Sequence, residues 1–141
     1  MAYKEFLAEL KTEWYKVVNA AISTNVYKDS VPITENGGYV LIRSEGSTNT
    51  DTTNSGFFRS AIIVVDIVTK YPVIGSQQTA YALSNDISAA VLLSPNSFAI
   101  SLTNHQITQI TLQSQDEIYE DDNSEKIFRV INRYEHFLNQ I

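Results

Sequence analysis

The stretch FFRSAIIVVDIVTKY, Phe57 to Tyr71, decides how the rest of the chain is read. β-Branched and aromatic residues fill it, and alternation puts Ala61, Ile63, Val65 and Ile67 on one face. Ser60, Ile62, Val64, Asp66 and Val68 fall on the other. Both faces are largely apolar, which predicts a central strand covered on its two sides by helices or by another subunit. Just upstream, GGYVLIRSE (Gly37 to Glu45) is a chain break followed by β-formers, so the two stretches are expected to pair as a hairpin. Between them GSTNTDTTNSG (Gly46 to Gly56) carries no side chain larger than Asn. It reads as a hairpin tip far longer than the usual loop of about 2 to 5 residues.

Working outward, Tyr3, Phe6, Leu7, Leu10, Trp14, Val17, Val18 and Ile22 recur at helical spacing and predict an amphipathic helix over 3–22. Polar Ser23 to Asn25 ends it, and Pro32 prevents a restart through that position. On the far side, Pro72 and Gly75 close the strand, and Ser76 is a candidate N-cap for a second helix over 77–92, with Ala80, Leu83, Ile87, Ala90 and Val91 as its stripe. SFAISL, ITQITLQSQ and KIFRVINRYEHFLNQI then read as strands, the last from the alternation of Phe128, Val130 and Tyr134 with Arg129, Arg133 and Glu135. The expected fold is α+β: a mostly antiparallel sheet of four to five strands with two helices packed on one face. At 141 residues and 43% hydrophobic, the chain suits one domain, 1–141.

Composition narrows function by exclusion. With no cysteine, disulfides, thiolate metal sites and cysteine nucleophiles drop out. Six of the sixteen acids (Asp116, Glu117, Glu120, Asp121, Asp122, Glu125) fall within ten residues while the ten basic residues are scattered, which argues against a basic nucleic-acid groove. No apolar run is long enough for a signal peptide core or a membrane span.

Three constellations deserve a chemical test. In the 46–56 loop Asn49, Asp51 and Asn54 offer oxygens, but an EF-hand counted from Asn49 needs Gly at its sixth position and Glu at its twelfth, where Asn54 and Ser60 stand. The acids of DEIYEDDNSEK are adjacent and cannot converge on one ion without a folded-back loop, so the segment reads as a solvated hairpin tip with a turn at Asp122 to Ser124. Repeated around a ring, such a tip would make a negative annulus. His105 and His136 sit in no Ser, Asp or metal-ligand pattern, and His136 is expected at a surface or interface. No nucleophile-elbow, P-loop or dinucleotide motif occurs. No catalytic residue, cofactor or metal is assigned.

NVYKDSVP (with Val26, Tyr27, Pro32), GGYVLI, a polar loop, SAIIVVDIVTKY, and then Gly75, Ala80 and Ile87 ahead of terminal strands together resemble the tail-terminator or tail-completion proteins of long-tailed bacteriophages. The resemblance covers most of the length through degenerate motifs. Where members of that family carry a Trp-Ser strand ending and a basic or aromatic last hairpin, this chain has TKYPVIG and EDDNSEK, which leaves tail terminator and neck adaptor both open. The resemblance implies a homo-oligomeric ring, a hexamer, in the virion neck. Such a ring caps the tail tube, contacts tube and head-connector proteins, and passes DNA through its lumen without specific binding, with no reaction, cofactor or membrane. Synthesis in the host cytoplasm is implied as well. Asp116, Glu117, Glu120, Asp121 and Asp122 then become a candidate lumen or interface, and Thr48, Asn49, Asp51 and Asn54 a candidate inter-subunit arm. Two other readings stand beside it: a small ligand-binding or enzymatic domain using His105, Asp66 and Tyr71, and a peptide adaptor with an open edge near Phe98 to Leu102.

Overall fold

A computed structural model describes residues 3–35, 37–49, 57–71, 77–122 and 125–141. The elements run α1 (Leu7–Ala21), β1 (Asn25–Lys28), β2 (Tyr39–Asn49), β3 (Phe58–Tyr71), α2 (Gln77–Val91), β4 (Leu92–Ser94), β5 (Ser97–Phe98), β6 (His105–Asp122) and β7 (Glu125–Gln140). Five strands form the main sheet in the order β1-β2-β3-β7-β6, and β4 and β5 make a separate ribbon. The stretch from Phe57 is the central strand, as its two apolar faces require.

The fold is α+β, but the main sheet is mixed. β1 runs parallel to β2, with Asn25 opposite Tyr39 and Lys28 opposite Ile42, while the other three pairings are antiparallel. Four residues are too short for alternation to show, so Val26 and Tyr27 read as irregular in the sequence. SFAISL likewise contributes only Ser97 and Phe98 to a strand.

Both helices pack on one sheet face. Leu10, Trp14 and Val18 of α1 and Ala80, Ile87 and Val91 of α2 join Val40, Ile42, Ala61, Ile63, Val65, Ile67, Val130 and Tyr134 in one buried cluster. The first helix starts four residues later than its stripe predicts. Lys4 is held in place of a helical turn by its N–H donating to Gln140 Oε1 at 2.9 Å, and Tyr3 meets the Phe57 ring edge-on. The second ends within one residue of expectation. Its expected N-cap, Ser76, lies outside the described residues, as do Pro72 and Gly75.

The core contains polar groups that pattern alone does not reveal. Asn132 donates to Ser84 Oγ at 2.8 Å and accepts from Gln115 Nε2 at 2.9 Å, fixing α2 on the sheet. His136 is fully buried, not at a surface, because even-numbered β7 residues face the helices. Trp14 Nε1 donates to His136 Nε2 at 2.8 Å. Indole N–H is donor only, so Nε2 is bare and Nδ1 carries the proton, donating to the Ala61 carbonyl at 3.2 Å.

Burial pushes the His136 imidazole down to about 4, against a smaller upward pull from the backbone of Ala61 and Tyr134. Below about pH 6.5 the unfolded chain binds a proton here that the folded chain refuses, so the stability present above that pH is lost as pH falls toward 4. The loss approaches roughly 3 kcal/mol at full protonation. Burial also lowers His105, opposed by Glu9 and Glu5, so it acts in the same direction. Urea unfolding at pH 7 and pH 4.5 is expected to show a steeper acid loss for the native chain than for His136→Gln. Equal losses would mean that His136 does not carry this effect.

Candidate functional site

On the sheet face opposite the helices part of the apolar surface is hidden, although Phe58 and Ile118 on the same face are 37% and 38% exposed. Val64, Val68 and Ile131 have relative exposures of 0%, 2% and 8% without contributing to the helix-side core. Charged side chains from neighbouring strands cover them. Arg129 on β7 holds the buried Asp66 of β3 through Nε at 3.3 Å and through Nη2. Arg133 reaches across the sheet, donating at 2.7 Å from Nε to Glu45 on β2 and at 2.7 Å from Nη1 to Asp116 on β6. Long arginine stems over apolar surface with their heads paired give this face its own cover.

A β-bulge positions Glu45. Register shifts between Ser44, opposite Ile63, and Ser47, opposite Ala61, and Gly46 has φ of 95°. A Cβ at Gly46 would meet nothing within 4 Å, so the constraint there is backbone conformation rather than space. The expected loop at 46–56 is thus shorter than its sequence suggests. Thr48 and Asn49 belong to β2, and Thr48 Oγ1 lies 2.8 Å from Ser60 Oγ. Asp51 and Asn54, the other two residues of the candidate arm, lie outside the described residues.

The acidic run is strand to its end, since β6 and β7 pair as far as Asp122 and Glu125. Most of the turn expected at 122–124 lies outside the described residues. Strand alternation sends the acids to two faces. Asp116 and Glu120 belong to the open face, where Asp116 meets Arg133 and the charge of Glu120 supports Arg129. Glu117 and Asp121 belong to the helix side, Glu117 accepting from the Tyr81 hydroxyl at 2.7 Å and Asp121 from Lys126 at 2.5 Å. Asp122 is placed as a strand residue only. The run is an acidic sheet edge, because among the described residues β6 pairs with β7 alone, and unpaired edges are commonly guarded by charge.

The residues of the ligand-binding reading do not assemble. Asp66 is on the open face with Arg129, His105 is on the helix side against Phe6 at 5.0 Å, and the side chain of Tyr71 lies outside the described residues. The open edge expected near Phe98 is instead a short ribbon, and the long free edge is β6. Among the described residues no group of three or more His, Cys, Asp or Glu could hold a metal ion, and no helix is long and apolar enough to cross a membrane. A cavity of about 380 Å³ opens among Ser23, Asn25, Gly38, Thr69, Lys70 and Leu83. A second, of about 290 Å³, lies at the start of β6 among Phe98, Ile100, Leu102, His105, Ile107 and Ile141.

No protein-family model matches this chain, and no curated protein is significantly similar to it. Solved structures share its fold. A chain from the virion of a native gene transfer agent (GTA) particle superposes with a TM-score of 0.69 at 15% identity, over 96% of this chain and 99% of that one. Another solved chain, whose name states no function, superposes with a TM-score of 0.51 at 11% identity over 96% of each.

Proposed function

We propose that this chain is a structural subunit of a phage-like virion, acting as the tail terminator at the head-to-tail junction. One observation carries the reading: its fold matches a gene transfer agent virion chain along nearly the whole length of both. The order of elements that resembles tail terminators is also the order the structure adopts. In this role copies of the chain close into a ring of six that caps the tail tube, ends its growth and meets the head connector. DNA passes through the lumen, and no reaction or cofactor is involved.

The acidic edge (Asp116, Glu117, Glu120, Asp121, Asp122) then lies at the lumen or against a neighbour. The arm that begins at Thr48 and Asn49 and includes Asp51 and Asn54 reaches a neighbouring subunit or the tube. A neck adaptor of the same ring class is the nearest alternative. Quantitative mass spectrometry of purified particles tests the proposal: the chain is expected in every preparation at a fixed, low copy number near six. Its absence from particles, with a strictly monomeric protein in solution, would overturn it.

A further inference from the structure

We propose that the pocket beside the start of β6 receives Ile33 from a second copy of this chain, giving each copy a knob at one sheet edge and a socket at the other. The inference rests on the ring reading above and identifies a contact that would build it.

The knob is held stiffly. Glu35 N–H closes a turn onto the Pro32 carbonyl at 3.0 Å, with Ile33 as the turn's second residue. The Glu35 carboxylate then accepts from Asn25 Nδ2 at 3.0 Å, from Gly37 N–H at 3.0 Å and from the Tyr27 hydroxyl. Ile33 is 103% exposed, so nothing in its own subunit uses it. A single exposed aliphatic residue is ordinary on a protein surface. This one sits on a turn tied to β1 and β2, so little chain freedom remains to be lost when it docks.

The socket suits such a side chain. Its volume of about 290 Å³ falls at or below the small end of small-molecule pockets, about 300 Å³, and Phe98, Ile100, Leu102, Ile107 and Ile141 make its wall apolar. His105 completes the wall, 3% exposed, and neither ring nitrogen has a hydrogen-bond partner among the described residues. Buried polar atoms normally do. A peptide group arriving beside an apolar side chain supplies what the ring lacks, and Ile33 is flanked by such groups.

Position argues for a second copy over an unrelated protein. The turn hangs on β1 and the socket on β6, the two outer strands of the one sheet. A contact between unlike edges passes from copy to copy, and closes as a ring when the rotation between copies closes, whereas like-to-like contacts stop at two.

The chain has no cysteine, so engineered ones report cleanly. In an Ile33→Cys, Ser101→Cys double variant, mild oxidation is expected to give a ladder of disulfide-linked multimers that neither single variant forms. Ile33→Asp is expected to lower assembly at least tenfold with an unchanged Tm, because Ile33 makes no contact in the folded subunit. Oligomers that form normally in Ile33→Asp, with no 33-to-101 linkage, would overturn this contact and leave the ring reading standing. No oligomer from the native chain, in solution or in particles, would overturn both.

Discussion

Replacing Trp14 with alanine lowers the unfolding free energy by about 4 kcal/mol, in the range for deleting a fully buried large aromatic side chain. Trp14 has 0% exposure, meets Tyr134 in a tilted contact at 4.8 Å and His136 edge-on at 5.6 Å, and so joins α1 to β7 through its ring and its N–H. Alanine leaves a cavity at that junction and strands His136 Nε2 without a donor, a cost of roughly 1 to 3 kcal/mol included in the expected total. Total stability of a domain this size is on the order of 5 to 15 kcal/mol, so the variant stands near the limit of folding. Trp14→Phe separates the two contributions. It keeps aromatic packing, loses the hydrogen bond, and is expected to fall about midway in urea unfolding. Equal stability of Trp14→Phe and the native chain would show that the indole N–H to His136 bond contributes nothing.

Replacing Arg129 with methionine costs about 3 kcal/mol, the lower end of what breaking a buried ion pair costs, because the open face lets water approach. Asp66 is 3% exposed, and Arg129 is the cation that meets it; that carboxylate in turn holds the guanidinium above its usual range. With methionine at 129 the charge of Asp66 is stranded in a site where it is 3% exposed. Adding Asp66→Leu to Arg129→Met is expected to recover most of the stability, as apolar replacement of both partners removes the desolvation cost. A double variant no more stable than Arg129→Met would contradict the assignment of the loss to a stranded carboxylate.

The central strand, both helices and the last strand were legible because each repeats its period long enough to be seen: 14 residues in β3, 15 in each helix and 16 in β7. β1 was not legible, because four residues hold two alternations and its parallel partner lies beyond a return loop. Gly46 read as the start of a loop, although a bulge glycine inside a strand leaves the same mark in a sequence. His136 was in plain view on the buried face of an alternating strand, in phase with Phe128, Val130 and Tyr134, and that phase was the signal for its burial. Apolar residues on β3 imply a cover on both faces, but sequence periodicity cannot show that Arg129 and Arg133 from another strand contribute to it on the open face.

The candidate site was legible only as composition. Alternation disperses the acidic run over two faces, and Asp116, Glu117 and Asp121 each have a partner within the subunit. The knob and the socket have no sequence signature, since Ile33 is one aliphatic residue in a loop and the pocket gathers residues from 98 to 141.

Averaged electron images of the head-to-tail junction in purified particles, with this chain located by an added tag, test the central claim most directly. One ring of six copies at the head-proximal end of the tail tube is expected. Density for the chain along the length of the tube, inside the head, or nowhere in the particle would contradict it.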